Sequence, residues 1–290
     1  MSTAIERIEP FDERLSGRST FLGRARRSRS LVAGCSLTGV IALSAIFAPL
    51  LSPASPEQQD LYHILSGVSS AHPLGTDQLG RDELSRLLYA GRTDLTVGVL
   101  AIVFPLIFGT LVGTLAGYFR GITDAVISRV IEVVIAFPFL VLVIGLVFVV
   151  GPGTRGIYIA FAIADWIVYA RAVRATTLVV RESDYVAAAR AGGLSTPRIL
   201  WSHVLPNTIT QAIVYAMTDV VLVIVAVVTL GYVGLGVQPP DFDWGSMIND
   251  GQEFLTTRWQ LATIPGLAVV LTGLGLSLIG DGLADVLRPQ

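Results

Sequence analysis

Hydrophobic positions in this chain fall into long runs. Leu31 to Leu51 is 21 residues without a charge, Leu95 to Phe119 is 25, Val133 to Gly153 is 21, Val220 to Pro240 is 21, and Trp259 to Gly280 is 22. About 20 such residues carry a helix across the hydrocarbon core of a bilayer, whereas the core of a water-soluble domain seldom needs a helix beyond about 14. A further apolar stretch, Gly156 to Ala170, is interrupted by Asp165. A mid-helix Asp costs about 2.5–3.5 kcal/mol on insertion scales, so that helix is expected inside a bundle and away from lipid. Six spans are therefore expected, at about 31–51, 94–118, 130–150, 156–175, 209–236 and 260–283, and the fold class is an all-α integral membrane protein.

The polar segments complete the plan: a tail at 1–30, a first span at 31–51, a loop at 52–93, a five-helix core at 94–286 that contains a charged segment at 182–207, and a short end at 287–290. Within the loop, Leu84, Leu87 and Leu88 share one side of a helical pattern, which predicts a helix lying at the membrane interface. Gly109, Gly113 and Gly117 make two small-xxx-small steps on one face, and Gly273 with Ser277 makes another; such steps let helices approach closely. Pro49, Pro105, Pro138 and Pro265 stand in or near spans, where neighbouring helices can satisfy the freed carbonyls.

Composition adds orientation. The chain is 52% apolar and 14% charged; a soluble domain carries about 25% charge. All 20 basic residues are arginine. With the N-terminus in the cytoplasm, 15 of them fall inside and five outside, as the positive-inside rule requires. Both termini and the 182–207 segment are then cytoplasmic. The apolar run after Arg26-Arg27 is too long for a signal h-region, so an uncleaved first helix is expected. Cys35, the one cysteine, lies in that run and is expected to act as a packing residue.

Several chemistries are excluded. A phosphate-binding P-loop needs a lysine, and there is none. Gly151–Gly156 fits a dinucleotide fingerprint by letter but stands between two spans, and reads as an external turn. His63, His72 and His203 fall on opposite sides of the membrane and offer no metal site. No nucleophile stands beside a base, so no catalytic residue, resident cofactor or nucleic-acid partner is assigned and the chain is read as not an enzyme.

The segment 182–207 reads ESDYVAAARAGGLSTPRILWSHVLPN. Tyr185 to Ala191 is rich in alanine, the best helix former. Gly192-Gly193 ends that helix, Ser195 can cap a second one, and Pro197 suits its first turn. The second helix is expected to end near Leu205-Pro206. The product is a helical elbow that small side chains would let lie in a groove on another protein; the alternative is a solvated loop.

This segment resembles the EAA loop of ABC importer permeases. Ala188, Ala189, Gly193, Leu205 and Pro206 match in register, while Ala187 stands where the family has glutamate and His203 where it has isoleucine. HPLGTDQLGRDELSRLLYAGRTDLTVG at 72–98, YVGLGVQPPDFDWGSMINDG at 232–251 and the segment 265–289 resemble the C-type permease subunit of dipeptide and oligopeptide importers. The resemblance implies a type I importer fold with a cytoplasmic coupling helix, in a bacterial inner membrane. It implies a heterodimer with a second permease subunit, two ATP-binding subunits that hold ATP and Mg, and an extracytoplasmic solute-binding protein. Coupling to the ATPase would fall to Tyr185, Ala188, Ala189, Arg190, Gly193, Ser195 and Arg198. Nickel and other small-solute permeases share the subfamily, and a secondary transporter is a further reading.

Intramembrane acids are candidates for the pathway by default: Glu132, Asp165 and Asp219, each with the alternative of capping a helix or pairing with an arginine. Asp241, Asp243, Trp244 and Asp250 are candidates for contact with the binding protein, the alternative for Trp244 being a membrane-interface anchor.

Overall fold

The computed structural model describes residues 25–287; the expected tail up to residue 24 and the last three residues lie outside them. Among the described residues there is no strand, and five helices are long and apolar enough to cross a membrane, or six if one bent pair counts as a span. The first is α1 (Arg29–Ile46), started by the Ser28 side chain and followed by a single turn, α2 (Ala48–Leu51).

The largest departure from the sequence reading is α3 (Glu83–Phe119), one helix of 37 residues. No separate interfacial helix precedes it: the Leu84–Leu88 segment is its first turns. Asp82 caps it through the Ser85 backbone N–H, and nothing helix-breaking follows until Pro105. At 1.5 Å per residue it is ~55 Å long and stands well clear of a ~30 Å hydrocarbon core.

Arg120 and Gly121 both have positive φ and turn the chain into α4 (Gly121–Ile135). A bend of 85° before Pro138 separates α4 from α5 (Phe139–Val150), where the sequence suggested one straight span. Proline removes a backbone donor and disfavours helix for the residue before it. Gly151 and Gly153, both at positive φ, make the expected turn into α6 (Thr154–Ala164). Asp165 interrupts, and α7 (Trp166–Val180) continues. Then come α8 (Asp184–Ala191), α9 (Thr196–Ile199), a π-helical turn at Leu200–Val204, α10 (Leu205–Tyr232), α11 (Trp244–Gln252) and α12 (Gln260–Leu287).

The bundle is built around α3, α7 and α10. The α6–α7 span, which carries Asp165, is the most buried of the five at 56%, followed by the span ending in α10 at 50%, against 11% in α1 and 22% in α12. The α3 glycines make this closeness possible. A Cβ on Gly109 would stand 2.7 Å from that of Tyr169, one on Gly117 2.7 Å from that of Thr177, and one on Gly113 would strike the Ala170 backbone. The step expected at Gly273 is looser, with only Val221 at 3.5 Å. The tight glycines of α12 are Gly275, against Thr38, and Gly282, against Leu31, both on α1.

Candidate coupling and translocation sites

The elbow begins with α8. Its C-terminal end is a paired cap: Gly193 N–H donates to Arg190 O at 3.1 Å and Leu194 N–H to Ala189 O at 3.2 Å. Gly193 has φ +77°, so the geometry requires a residue without a Cβ penalty. Ser195 stands at the start of α9 in extended conformation, but its side chain makes no cap bond; the turn starts with Pro197 instead. The second helix does not stop at Leu205. It passes through the π turn, where Leu205 N–H reaches back to Leu200 O, and continues as α10. Such π insertions in helices are frequent at functional positions.

The elbow has its own small core. Val186, Ala189, Ile199 and Val204 are buried together with Tyr118 from the end of α3. Arg181 donates through Nη1 to the Tyr118 carbonyl, and the guanidiniums of Arg181 and Arg190 lie 5.9 and 6.0 Å from the Tyr118 ring. Ala189 therefore packs inward, against its own chain. The exposed face carries Tyr185, Ala188, Arg190, Gly192, Gly193, Ser195 and Arg198, to which Trp201, 64% exposed, must be added. Trp201 was not singled out from the sequence.

Two of the three intramembrane acids are brought together. Asp165, at the break between α6 and α7, and Asp219, in α10, are 2% and 3% exposed and their carboxyl groups adjoin. Tyr169 donates its hydroxyl to Asp219 Oδ2 at 2.7 Å, and the Tyr215 ring stands edge-on to that of Tyr169 at 5.3 Å. Asp165 does not cap α7, its Oδ2 has no hydrogen-bond partner, and among the described residues neither acid forms an ion pair with an arginine. Both line a cavity of about 380 Å³, together with Phe139, Val168, Tyr215 and Leu222. Glu132 is elsewhere: it is exposed on α4 and pairs with Arg129 at 2.8 Å. The tyrosines left a signal that was not used. Asp165 and Tyr169, and Tyr215 and Asp219, are each four apart, so each pair shares a helix face.

The expected binding-protein contacts are largely internal. Asp243 and Trp244 are buried, at 0% and 2% exposed. Asp243 accepts from the backbone N–H of Ser246 (2.6 Å) and Val237 (3.1 Å) and caps α11; burial pushes its carboxyl above the ordinary value, against those hydrogen bonds. Trp244 packs on α3, its indole N–H donating to Leu87 O at 3.1 Å and its backbone N–H to Asp94 Oδ2 at 2.8 Å. Asp250 is half-buried and pairs with Arg86 at 3.2 Å and Arg81 at 3.5 Å. Those arginines also hold Asp77, at 2.7 and 2.6 Å, so a network ties the first loop, α3 and α11 together. Asp241 alone of the four is exposed. Sequence reasoning placed polar and aromatic groups on a surface because it could not see that α3 extends beyond the membrane and covers them.

Residues 109–290 match the family model described as binding-protein-dependent transport system inner membrane component, and residues 19–71 match the N-terminal TM domain of oligopeptide transport permease C. The chain belongs to this family of inner membrane transport components. Over 271 residues it is 41% identical to the dipeptide transport system permease protein of Escherichia coli strain K12, covering 91% of this chain and 90% of that one. It is 36% identical over 265 residues to the dipeptide transport system permease protein of Alkalihalophilus pseudofirmus, covering 91% and 87%. A di/tripeptide transport system permease protein of Pseudomonas aeruginosa is 35% identical over 257 residues, covering 87% and 85%. As a permease component of ABC transporters, this chain is a multi-pass membrane protein. Among the described residues no cluster of His, Cys, Asp or Glu is arranged to hold a metal ion.

Proposed function

We propose that this chain is one of two permease subunits of an ATP-driven importer of di- and oligopeptides in a bacterial inner membrane. Its termini face the cytoplasm. Two separate ATPase subunits bind ATP and Mg, an external binding protein delivers the peptide, and this chain performs no catalysis itself. The peptide class rests on the relatives, which are named as dipeptide and di/tripeptide permeases. The mechanism rests on one observation: a capped elbow with an exposed small-residue face, rigidly joined to the ends of three bundle helices through Tyr118, Val180 and the π turn.

An ATPase can drive the membrane domain only if its nucleotide states favour different membrane conformations. The elbow supplies that differential contact. When ATP closes the ATPase pair, the docked elbow follows, and α7 and α10, which are its two stems, carry the movement into the bilayer. The cavity between those stems, with Asp165 and Asp219, then belongs to the pathway, whereas Glu132 is not among its lining residues. Outside, Asp241 remains the exposed candidate for touching the binding protein.

The test is reconstitution of the full complex in proteoliposomes. Uptake of a labelled dipeptide should require ATP, both ATPase subunits and the binding protein. Uptake without the ATPase would refute the importer reading, and transport of nickel in place of dipeptide would refute the peptide class.

A further inference from the structure

The acid pair carries more than membership of a pathway. Two adjoining carboxyl groups stand in the interior of a membrane bundle, and among the described residues no arginine pairs with either. One oxygen, Asp165 Oδ2, is buried without any hydrogen-bond partner, on a residue that lines the cavity. An uncompensated buried charge is costly, and two such carboxylates together repel. The helix-capping and arginine-pairing roles open to such acids are both unfilled here. The two carboxyl groups hydrogen-bond each other, which takes one shared proton, and a positive charge brought beside them can take that proton's place.

The surroundings select its kind. The cavity wall beyond the acids is apolar and aromatic, with Phe139, Leu140, Val168 and Leu222. A hydrated metal ion would find two carboxylates and little else, and hard cations need six or more oxygens. An ammonium group attached to an apolar body fits better. Its N–H groups can satisfy the unpartnered oxygen, and Tyr215 presents an aromatic ring beside it. At about 380 Å³ the cavity lies within the range of small-molecule sites.

We propose that Asp165 and Asp219 form a subsite for the α-ammonium group of a peptide in transit, with the first side chain of the peptide against Phe139 and Leu222. Tyr169, by its hydrogen bond, holds Asp219 in place and is a positioning residue. The proposal rests on the pathway reading above.

The test bypasses the binding protein, which could impose its own preference. Val225 lines the same cavity and is 46% exposed. In the assembled transporter in nanodiscs, with Cys35→Ala to remove the native thiol, Val225→Cys is labelled with a cationic, an anionic and a neutral methanethiosulfonate. The cationic reagent should react roughly tenfold faster than the anionic one beyond their intrinsic ratio, the factor expected of a close carboxylate. A dipeptide with a free amino terminus should slow the labelling at concentrations where its N-acetylated form does not. Asp165→Asn with Asp219→Asn should abolish both differences.

Equal protection by the free and acetylated dipeptides would overturn the ammonium subsite while leaving the pathway intact. No reaction with any reagent would overturn the pathway reading and the subsite with it. If the paired substitution prevents assembly, the two peptides compared on the native acids still decide.

Discussion

Gly193 is where docking and folding can be separated. A Cβ built there meets nothing within 4 Å, so a side chain has open space within this chain. The cost to the fold is conformational. At φ +77° an L-residue other than glycine is strained by about 1–2 kcal/mol, and asparagine by less. That strain acts on an element held by Val186, Ile199 and Val204, each no more than 1% exposed. Burying a side chain of that type contributes roughly 1.5–3 kcal/mol, so the elbow stays seated. A bulky group at 193 therefore meets only what docks there. Gly193→Trp should abolish ATP-dependent peptide uptake and detach the ATPase subunits on gel filtration. Gly193→Asn should keep at least half of the uptake, since backbone strain alone is not enough to disable the machine. Membrane insertion and the permease pair should survive in both. Full uptake by Gly193→Trp, or equal loss in both variants, would refute the assignment of this face to the ATPase.

Two further outcomes test the frame that holds these sites. Arg86→Met leaves buried Asp77 with Arg81 alone, and breaking a buried pair costs about 3–5 kcal/mol; the thermal midpoint of the purified complex should fall well below that of Arg81→Met, and equal falls would show that the network is not anchored on Arg86. Gly113→Leu should block assembly of the bundle because its Cβ already collides with the Ala170 backbone, whereas Gly145→Leu, which has open space, should assemble normally; monodisperse Gly113→Leu on gel filtration would refute the tight α3–α7 seam.

The sequence made the membrane class legible because an uncharged run of 21 or more residues has few alternatives to a span. It also made the first half of the elbow legible, since alanine, a Gly-Gly pair and Pro197 act through neighbours in the chain, whereas the Ser195 cap did not form and the second helix runs on into α10. The α3 glycine face was readable for the same reason: three residues at intervals of four must share a side. Partners distant in sequence were not readable. Nothing local says that Asp165 adjoins Asp219, or that Asp250 meets Arg86 across 164 positions. Asp243, Trp244 and Asp250 were misplaced through a length error, whereas Asp241 is exposed as expected. Residues 83–93 were assigned to the external loop, but Arg86 reaches Asp77 and Asp250, Trp244 packs on Leu87 and Gly91, and the helix runs on through them. Ala189 was misplaced for a smaller reason: in an alanine-rich turn, composition does not say which alanine faces in.

A mechanical consequence joins the elbow to the acid pair. The two stems of the elbow are α7 and α10, one carrying Asp165 at its start and the other Asp219 midway. Between α8 and the π turn the elbow is braced by the double cap at Gly193 and by its buried cluster, so it moves as one body. α3 is bound differently. Its external third is clamped by Arg86 and Trp244, its middle is locked against α7 by glycines, and its cytoplasmic end supplies Tyr118 to the elbow. A push on the elbow therefore meets a rod fixed at its far end. Because α3 and α7 are sealed by backbone contact, the softer boundary is the one between α7 and α10, where side chains and a cavity replace glycines. On the proposed coupling, movement should open there first, at Asp165 and Asp219, which would place the acids where force from the cytoplasmic side is converted into access.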